Sequence, residues 1–285
     1  MSADQEEAPA ELARLWRLPV SASGLGRPAA LDTERVVRTG VELADRDGLP
    51  GATLPKIAKE LGVSPMSLYR HVGSKDELLV LMRDLALGAP PEVETAPDRW
   101  RAGLRQWTVA QRLVNHDRPW LPRLPIAGPP MGPHEIAWME AGLSALSGTG
   151  LDWAAKVGSL TLLSGYVRHA SLLAQEHAQG RSETGLSQEE AERAYGRTLA
   201  RLITPDRFPQ VALLFSSGLF EAAPEGAYDD PATDHDFVFG LERVLDGIAV
   251  GDASRVPPHR RTPDVRGEGG GFGWAMICDM ATATT

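Results

Sequence analysis

Cysteine and lysine are both scarce in this 285-residue chain. Cys278 is the single cysteine, so an intramolecular disulfide and a multi-cysteine metal site are excluded, which fits a reducing compartment. Lysine occurs only at Lys56, Lys59, Lys75 and Lys156, and three of these fall close together. Long apolar runs are missing too: the most apolar stretch, from Trp153 to Ala174, is interrupted by Lys156, Arg168 and His169. The start, Met-Ser-Ala-Asp-Gln-Glu-Glu, lacks the basic and apolar regions of a secretory signal. Together these absences predict a soluble, cytoplasmic protein with no membrane partner. Alternating strand patterns and internal repeats are absent as well, which points to an all-α fold.

Catalytic constellations are equally thin. His116-Asp117 has no third partner at a ligand spacing such as His-Glu-x-x-His, and His134-Glu135 reads as the first turn of a helix. The glycines from Gly267 to Gly273 do not complete a dinucleotide fingerprint and follow no strand. No catalytic residue, metal site or cofactor is therefore expected. The formal charge of −9 excludes a protein that is basic all over, but the acidic residues crowd into 4–11 and 187–192. Local fields elsewhere are free to differ in sign.

What is present is concentrated between Thr53 and Glu77. Thr53 reads as an N-cap with Pro55 in the first turn, Ile57, Ala58 and Leu61 recur at helical spacing, and Gly62 supplies a left-handed stop. Ser64 reads as a second N-cap with Pro65 at the first helical position, and Leu68 and Val72 form an inner face. Met66, Ser67, Tyr69, Arg70 and His71 then point outward. No carboxylate occurs between Gly62 and Lys75, so this edge meets phosphate without repulsion. Ser74 and Glu77 read as a capping box that opens a further helix with Lys75 in its first turn. Two short helices joined by a glycine turn describe a helix-turn-helix, which a plain helical hairpin also matches on spacing alone.

Around this hairpin the pattern is helical throughout. Asp32 caps a helix to Asp47 that carries Val36, Gly40, Leu43 and Ala44 on one face, and Leu78, Leu81, Met82 and Leu85 continue to Gly88. Pro90, Pro91 and Pro97 mark a boundary. Beyond it, Trp100, Leu104, Trp107 and Gln111 share a face, and a Pro-rich loop runs from Pro119 to Pro133. Helices follow around Ile136 to Leu146, Trp153 to Ala174, Ser187 onward, Pro205 to Phe220 and Phe237 to Ile248. Residues 1–30 read as an arm without fixed structure, Glu11 to Leu18 having the pattern for two helical turns and Arg27 being its plausible DNA contact. Residues 251–285 read as a disordered tail. The domains are thus 31–89 and 97–250.

The run Gly-Val-Ser-Pro-Met-Ser-Leu-Tyr-Arg-His-Val-Gly-Ser-Lys-Asp-Glu-Leu-Leu, within Leu31 to Gly88, resembles the DNA-binding domain of tetracycline-repressor (TetR) family regulators. Arg118 to Leu151, with Gly-Pro-Pro-Met-Gly-Pro-His-Glu and Trp-Met-Glu-Ala-Gly-Leu, resembles the C-terminal domain of the tetracycline-repressor-like branch. The resemblance reaches about Ile248. It implies a helix-turn-helix three-helix domain followed by a larger helical ligand-binding and dimerisation domain, in a homodimeric repressor that binds a palindromic DNA operator and answers to a small-molecule effector. The matching DNA-binding positions are Thr53, Ser64, Pro65, Met66, Ser67, Tyr69, Arg70, His71 and Lys75. For the effector, Trp107, Trp120, Trp138, Met139, Tyr166 and His169 offer apolar faces with polar tips. Gly73 stands where the family often has proline, and the local basic charge is thin. These departures leave as the alternative a helical small-molecule-binding or enzymatic protein with a vestigial hairpin, and an activator in place of the expected repressor is a second rival.

Overall fold

The computed structural model describes residues 9–18, 31–126, 128–182, 185–221 and 230–253. Eleven α-helices and no strand occur among the described residues. Arg27, Cys278, most of the expected arm and nearly all of the expected tail lie outside them.

The first bundle comprises α2 (Thr33–Asp47), α3 (Leu54–Leu61), α4 (Pro65–Val72) and the start of α5 (Lys75–Leu87). Asp32 starts α2 as its composition requires, its carboxylate accepting from the Arg35 amide at 2.7 Å. Gly62 ends α3 at φ 68° and ψ 30°, a conformation that glycine adopts without a Cβ penalty. Val36, Val37, Ile57, Leu68, Val72, Leu78 and Met82 close a fully buried core between these helices.

Local capping departs from the sequence expectation in three places. Thr53 and Ser64 hold the extended backbone of N-cap residues, yet neither side chain caps its helix. The Ser64 hydroxyl pairs with that of Ser67 at 2.9 Å instead. Ser74 does accept from the Glu77 amide at 3.0 Å, but the return half of the box is missing because Arg14 engages the Glu77 carboxylate. Arg14 belongs to α1 (Ala10–Leu15), and its docking corrects the expectation of an unstructured leader for residues 9–18. Leu15 is buried in the first core, with Leu12 packed against it.

The second bundle holds α6 (Trp100–Asp117), α7 (Pro133–Ala145), α8 (Trp153–Ser182), α9 (Gln188–Leu202), α10 (Pro209–Ser216) and α11 (His235–Ala253). Its core runs from Leu104, Trp107 and Trp138 through Leu163 and Val167 to Phe237, Leu241 and Leu245. Asp152 caps α8, accepting from the Ala155 amide at 2.8 Å, and Ser187 and Glu190 form a reciprocal box at the start of α9. The helix α8 is longer than its apolar stretch, since it runs on to Ser182 through polar residues. In α7 the buried positions are Trp138, Gly142 and Ala145, with Leu146 buried just after its end and Met139 and Leu143 packed partly buried against the same core.

The two bundles share more than a linker. Trp120, Leu121 and Leu124, which follow α6 in sequence, are buried in the core of the first bundle, and the Trp120 indole donates to Asp45 Oδ1 at 2.7 Å.

Candidate nucleic-acid interface and regulatory core

The helix α4 has one face closed and the other open. Leu68 and Val72 are fully buried, whereas Met66 is 76% exposed and Tyr69 44% exposed. Thr53, Ser64, Pro65, Arg70 and Lys75 are also exposed, and Ser67 and His71 are half-buried. Arg70 and Lys75 form no ion pair with a described residue. The fold thus places all nine predicted residues at or beside the open face of α4 and at the starts of α3 and α5. Such a surface combines hydroxyl donors, one aromatic ring, one thioether and two uncommitted cations, which suits phosphate oxygens and base edges. The position of α4 is fixed from behind: Thr33 Oγ1 at the start of α2 donates to the His71 carbonyl at 2.9 Å.

The six residues predicted for an effector do not converge. Trp107 and Trp138 meet edge to face with centroids 6.4 Å apart, both buried, and their indole groups donate to the carbonyls of Trp138 and Gly88 at 2.8 and 2.9 Å. Met139 is half-buried beside them, and Tyr166 stacks on Phe237 while donating to its carbonyl at 2.8 Å. Burial pushes the Tyr166 phenol above its ordinary pKa. Trp120 belongs to the other core, as described above, and His169 is exposed.

Sequence reasoning passed over a second set of residues in this domain. Arg112 is only 4% exposed, donates to Asp234 at 2.7 Å and to the Pro231 carbonyl at 3.1 Å, and lies 4.5 Å from the Phe237 ring centroid. Beside it, Gln111 accepts from Ser164 of α8 at 3.1 Å, and Asn115 donates to Ser171 at 3.4 Å. Arg112 follows Leu104 and Thr108 at intervals of four along the buried stripe, and that register is the signal that marks it.

The two bundles also meet at the start of α7. The carboxylate of Asp84, buried on α5, accepts from the amides of His134 and Glu135 at 2.9 and 3.1 Å, and its other oxygen pairs with His134 Nδ1 at 3.0 Å. Arg83 meets Glu135 at 2.9 Å. A carboxylate at a helix N-terminus satisfies unpaired amides and complements the helix dipole, so α5 and α7 are joined by a charged contact that cannot slide freely. The pair His134-Glu135 sits in the first turn of its helix, as its sequence context indicates. His116 and Asp117 end α6, both exposed.

Comparison with known proteins bears on both bundles. Residues 36–82 match the model of the tetR family of bacterial regulatory proteins, and residues 92–251 match that of the tetracyclin repressor-like C-terminal domain. The chain belongs to the tetracycline-repressor family. It is 35% identical over 234 residues to the transcriptional repressor DrrR1 of Streptomyces coeruleorubidus, covering 81% of this chain and 82% of that one. The fold matches apo ActR from Streptomyces coelicolor with a TM-score of 0.63 at 25% identity, covering 80% of this chain and all of that one. ActR in complex with actinorhodin gives 0.64 at the same identity and coverage. Family membership makes the chain a ligand-responsive DNA-binding transcriptional regulator, with operator DNA, a small-molecule effector and a second copy of itself as partners. It is a regulator and not an enzyme. No helix among the described residues is long and apolar enough to cross a membrane.

Proposed function

We propose that the protein is a cytoplasmic repressor whose α4 reads a palindromic operator. The observation that carries the reading is the open face of α4: Met66 and Tyr69 project from a helix whose opposite side is fully buried. In this reading Ser67, Tyr69 and His71 meet backbone or base edges, Met66 meets a thymine methyl, and Arg70 meets phosphate or guanine. Thr53, Ser64 and Lys75 reach phosphate at the starts of their helices, with Pro65 setting the first turn of α4. Two copies pair through α8 and α11. Their outer faces form a groove lined by Ala155, Gly158, Leu162, Val244, Gly247 and Ile248, and a Cβ placed on Gly158 or Gly247 meets no atom within 4 Å. Paired readers then sit about one DNA turn apart, roughly 34 to 36 Å.

The effector, a small and partly apolar molecule, binds in the second bundle, a reading that the likeness to ActR in complex with actinorhodin supports. Trp107, Trp138, Met139 and Tyr166 supply ring and thioether faces, and Gln111 and Arg112 supply polar groups. Trp120 and His169 remain weaker members of the set on their placement. Binding shifts α7, and the Asp84 contact carries that shift to α5 and so to the spacing of the readers. The test is a titration of such compounds by Trp fluorescence, followed by operator binding with and without each. An effector is expected to lower operator affinity about 5- to 150-fold, the range of ordinary allosteric coupling, and operator DNA to weaken the effector equally. A broad aromatic library with no binder, while operator binding stays intact, contradicts the inducible reading.

A further inference from the structure

The end of α4 that leads into Gly73 is held by two helices, and both are held in turn by α1. On one side, α2 contributes Thr33, whose hydroxyl donates to the His71 carbonyl. The neighbouring residue, Glu34, pairs with Arg17 at 3.1 Å, just beyond the end of α1. On the other side, α5 contributes Glu77, whose carboxylate takes both Nε and Nη2 of Arg14 in a fork. That pair covers the corner between α4 and α5 closely. A Cβ built on Gly73 would lie 2.1 Å from Glu77 Oε2 and 2.9 Å from Arg14 Nη2.

Three further observations show that α1 is fixed here. Leu15 is buried in the reader's core. The Trp16 indole donates to the Met131 carbonyl, ahead of α7, at 2.8 Å. Arg17 has φ 52°, the one non-glycine positive φ among the described residues, and it holds that shape while donating to Glu34 and, at 2.6 Å, to the Arg14 carbonyl. A left-handed residue outside glycine persists where its surroundings over-determine it. The Glu77 side chain is 9% exposed, so without Arg14 its charge would stand unpaired against the corner of the reader. Burial alone would raise the Glu34 carboxyl, but hydrogen bonds from Arg38 and Arg17 outweigh it and hold the group below its ordinary pKa.

We infer that α1 and the residue after it but one clamp the recognition helix, with Arg14 and Arg17 as positioning residues for operator binding through Glu77 and Glu34. The inference rests on α4 being the DNA reader. Neither arginine needs to touch DNA. Each fixes a carboxylate on a first turn that flanks the end of α4, and each cancels a negative charge on the reader. The first effect acts on the operator alone, the second on any duplex.

Full-length wild type, Arg14→Ala, Arg14→Lys and Arg17→Ala would be titrated against duplex from the DNA flanking the protein's own gene and against a scrambled duplex, with thermal melts as control. Arg14→Ala is expected to lower operator affinity about tenfold, equivalent to about 1.4 kcal/mol. Its affinity for scrambled duplex should fall much less, so the ratio between the two drops. Arg14→Lys should recover part of the ratio, because it restores the charge without the fork. An unchanged ratio in a folded Arg14→Ala protein overturns the clamp and leaves α1 as a structural prop. Should Arg14→Ala fail to fold, the more exposed Arg17→Ala decides: a lowered ratio supports the clamp and an unchanged one overturns it. A wild type with no preference between the duplexes defeats the reader itself, which is a different result.

Discussion

The reader and the regulatory domain dispose of apolar surface in different ways. The reader closes its aliphatic core within one chain, and what it leaves outside, Met66 and Tyr69, lies on one side of one helix. The regulatory domain builds a core of rings around Trp107, Trp138 and Phe237, yet leaves Leu162 56% exposed on α8 and Phe239 61% exposed on α11. No residue of α10 is buried. Scattered apolar residues on a surface need no explanation, whereas a continuous groove of them between two helices does. The reader is complete as a single chain; the regulatory domain asks for a second surface.

Substitutions should break this contrast by different amounts. The largest effect is expected at Arg112, where Arg112→Ala removes a buried guanidinium and breaks its ion pair with the partly buried Asp234 ahead of α11, and should destabilise that domain by about 3 to 5 kcal/mol. Denaturant melts followed by Trp fluorescence measure it, and replacing Asp234 by Asn as well should restore part of the loss. Leu68→Ala should cost about 2 to 5 kcal/mol in the reader, because the side chain is fully enclosed. A loss below about 0.5 kcal/mol would mean that α4 is not packed as described.

Smaller in stability but decisive for assembly is Leu162→Glu. Light scattering should give twice the 30.7 kDa chain mass for the wild type and the single mass for the variant. A variant that stays dimeric places the interface elsewhere. Least disturbing to the fold are Tyr69→Ala and Lys75→Ala, both exposed and both expected within about 0.5 kcal/mol of wild-type stability. Tyr69→Ala should weaken operator binding selectively. Lys75→Ala should weaken all duplexes alike and lower the salt slope by about one phosphate contact.

What the sequence made legible was local. Asp32, Gly62, Leu68 and Val72 declare themselves because a cap, a left-handed stop and a helical stripe are set within one turn of chain. The failures involve partners distant in sequence. Glu77 reads as half of a capping box until Arg14, far off in the chain, takes its carboxylate. Trp120 reads as part of the regulatory core until Asp45 accepts its indole proton. Asp84 sits on the helical stripe of α5 with nothing nearby to show that it caps α7. Spacing likewise identifies which face of α4 is open but not that Ser64 pairs with Ser67 rather than with the helix amides. The aromatic residues were legible as apolar bodies, yet whether each indole faces a ligand or a carbonyl depends on a neighbouring helix, as Trp138 and Gly88 illustrate.

The central claim is that two copies of α4 read one symmetric site. Footprinting on DNA flanking the protein's own gene, with wild type and Tyr69→Ala side by side, tests it most directly. The account predicts one protected palindrome whose half-site centres lie about one helical turn apart, roughly 34 to 36 Å, with protection lost for Tyr69→Ala at the same concentration. Protection without two-fold symmetry, or a footprint that Tyr69→Ala leaves unchanged, would contradict it.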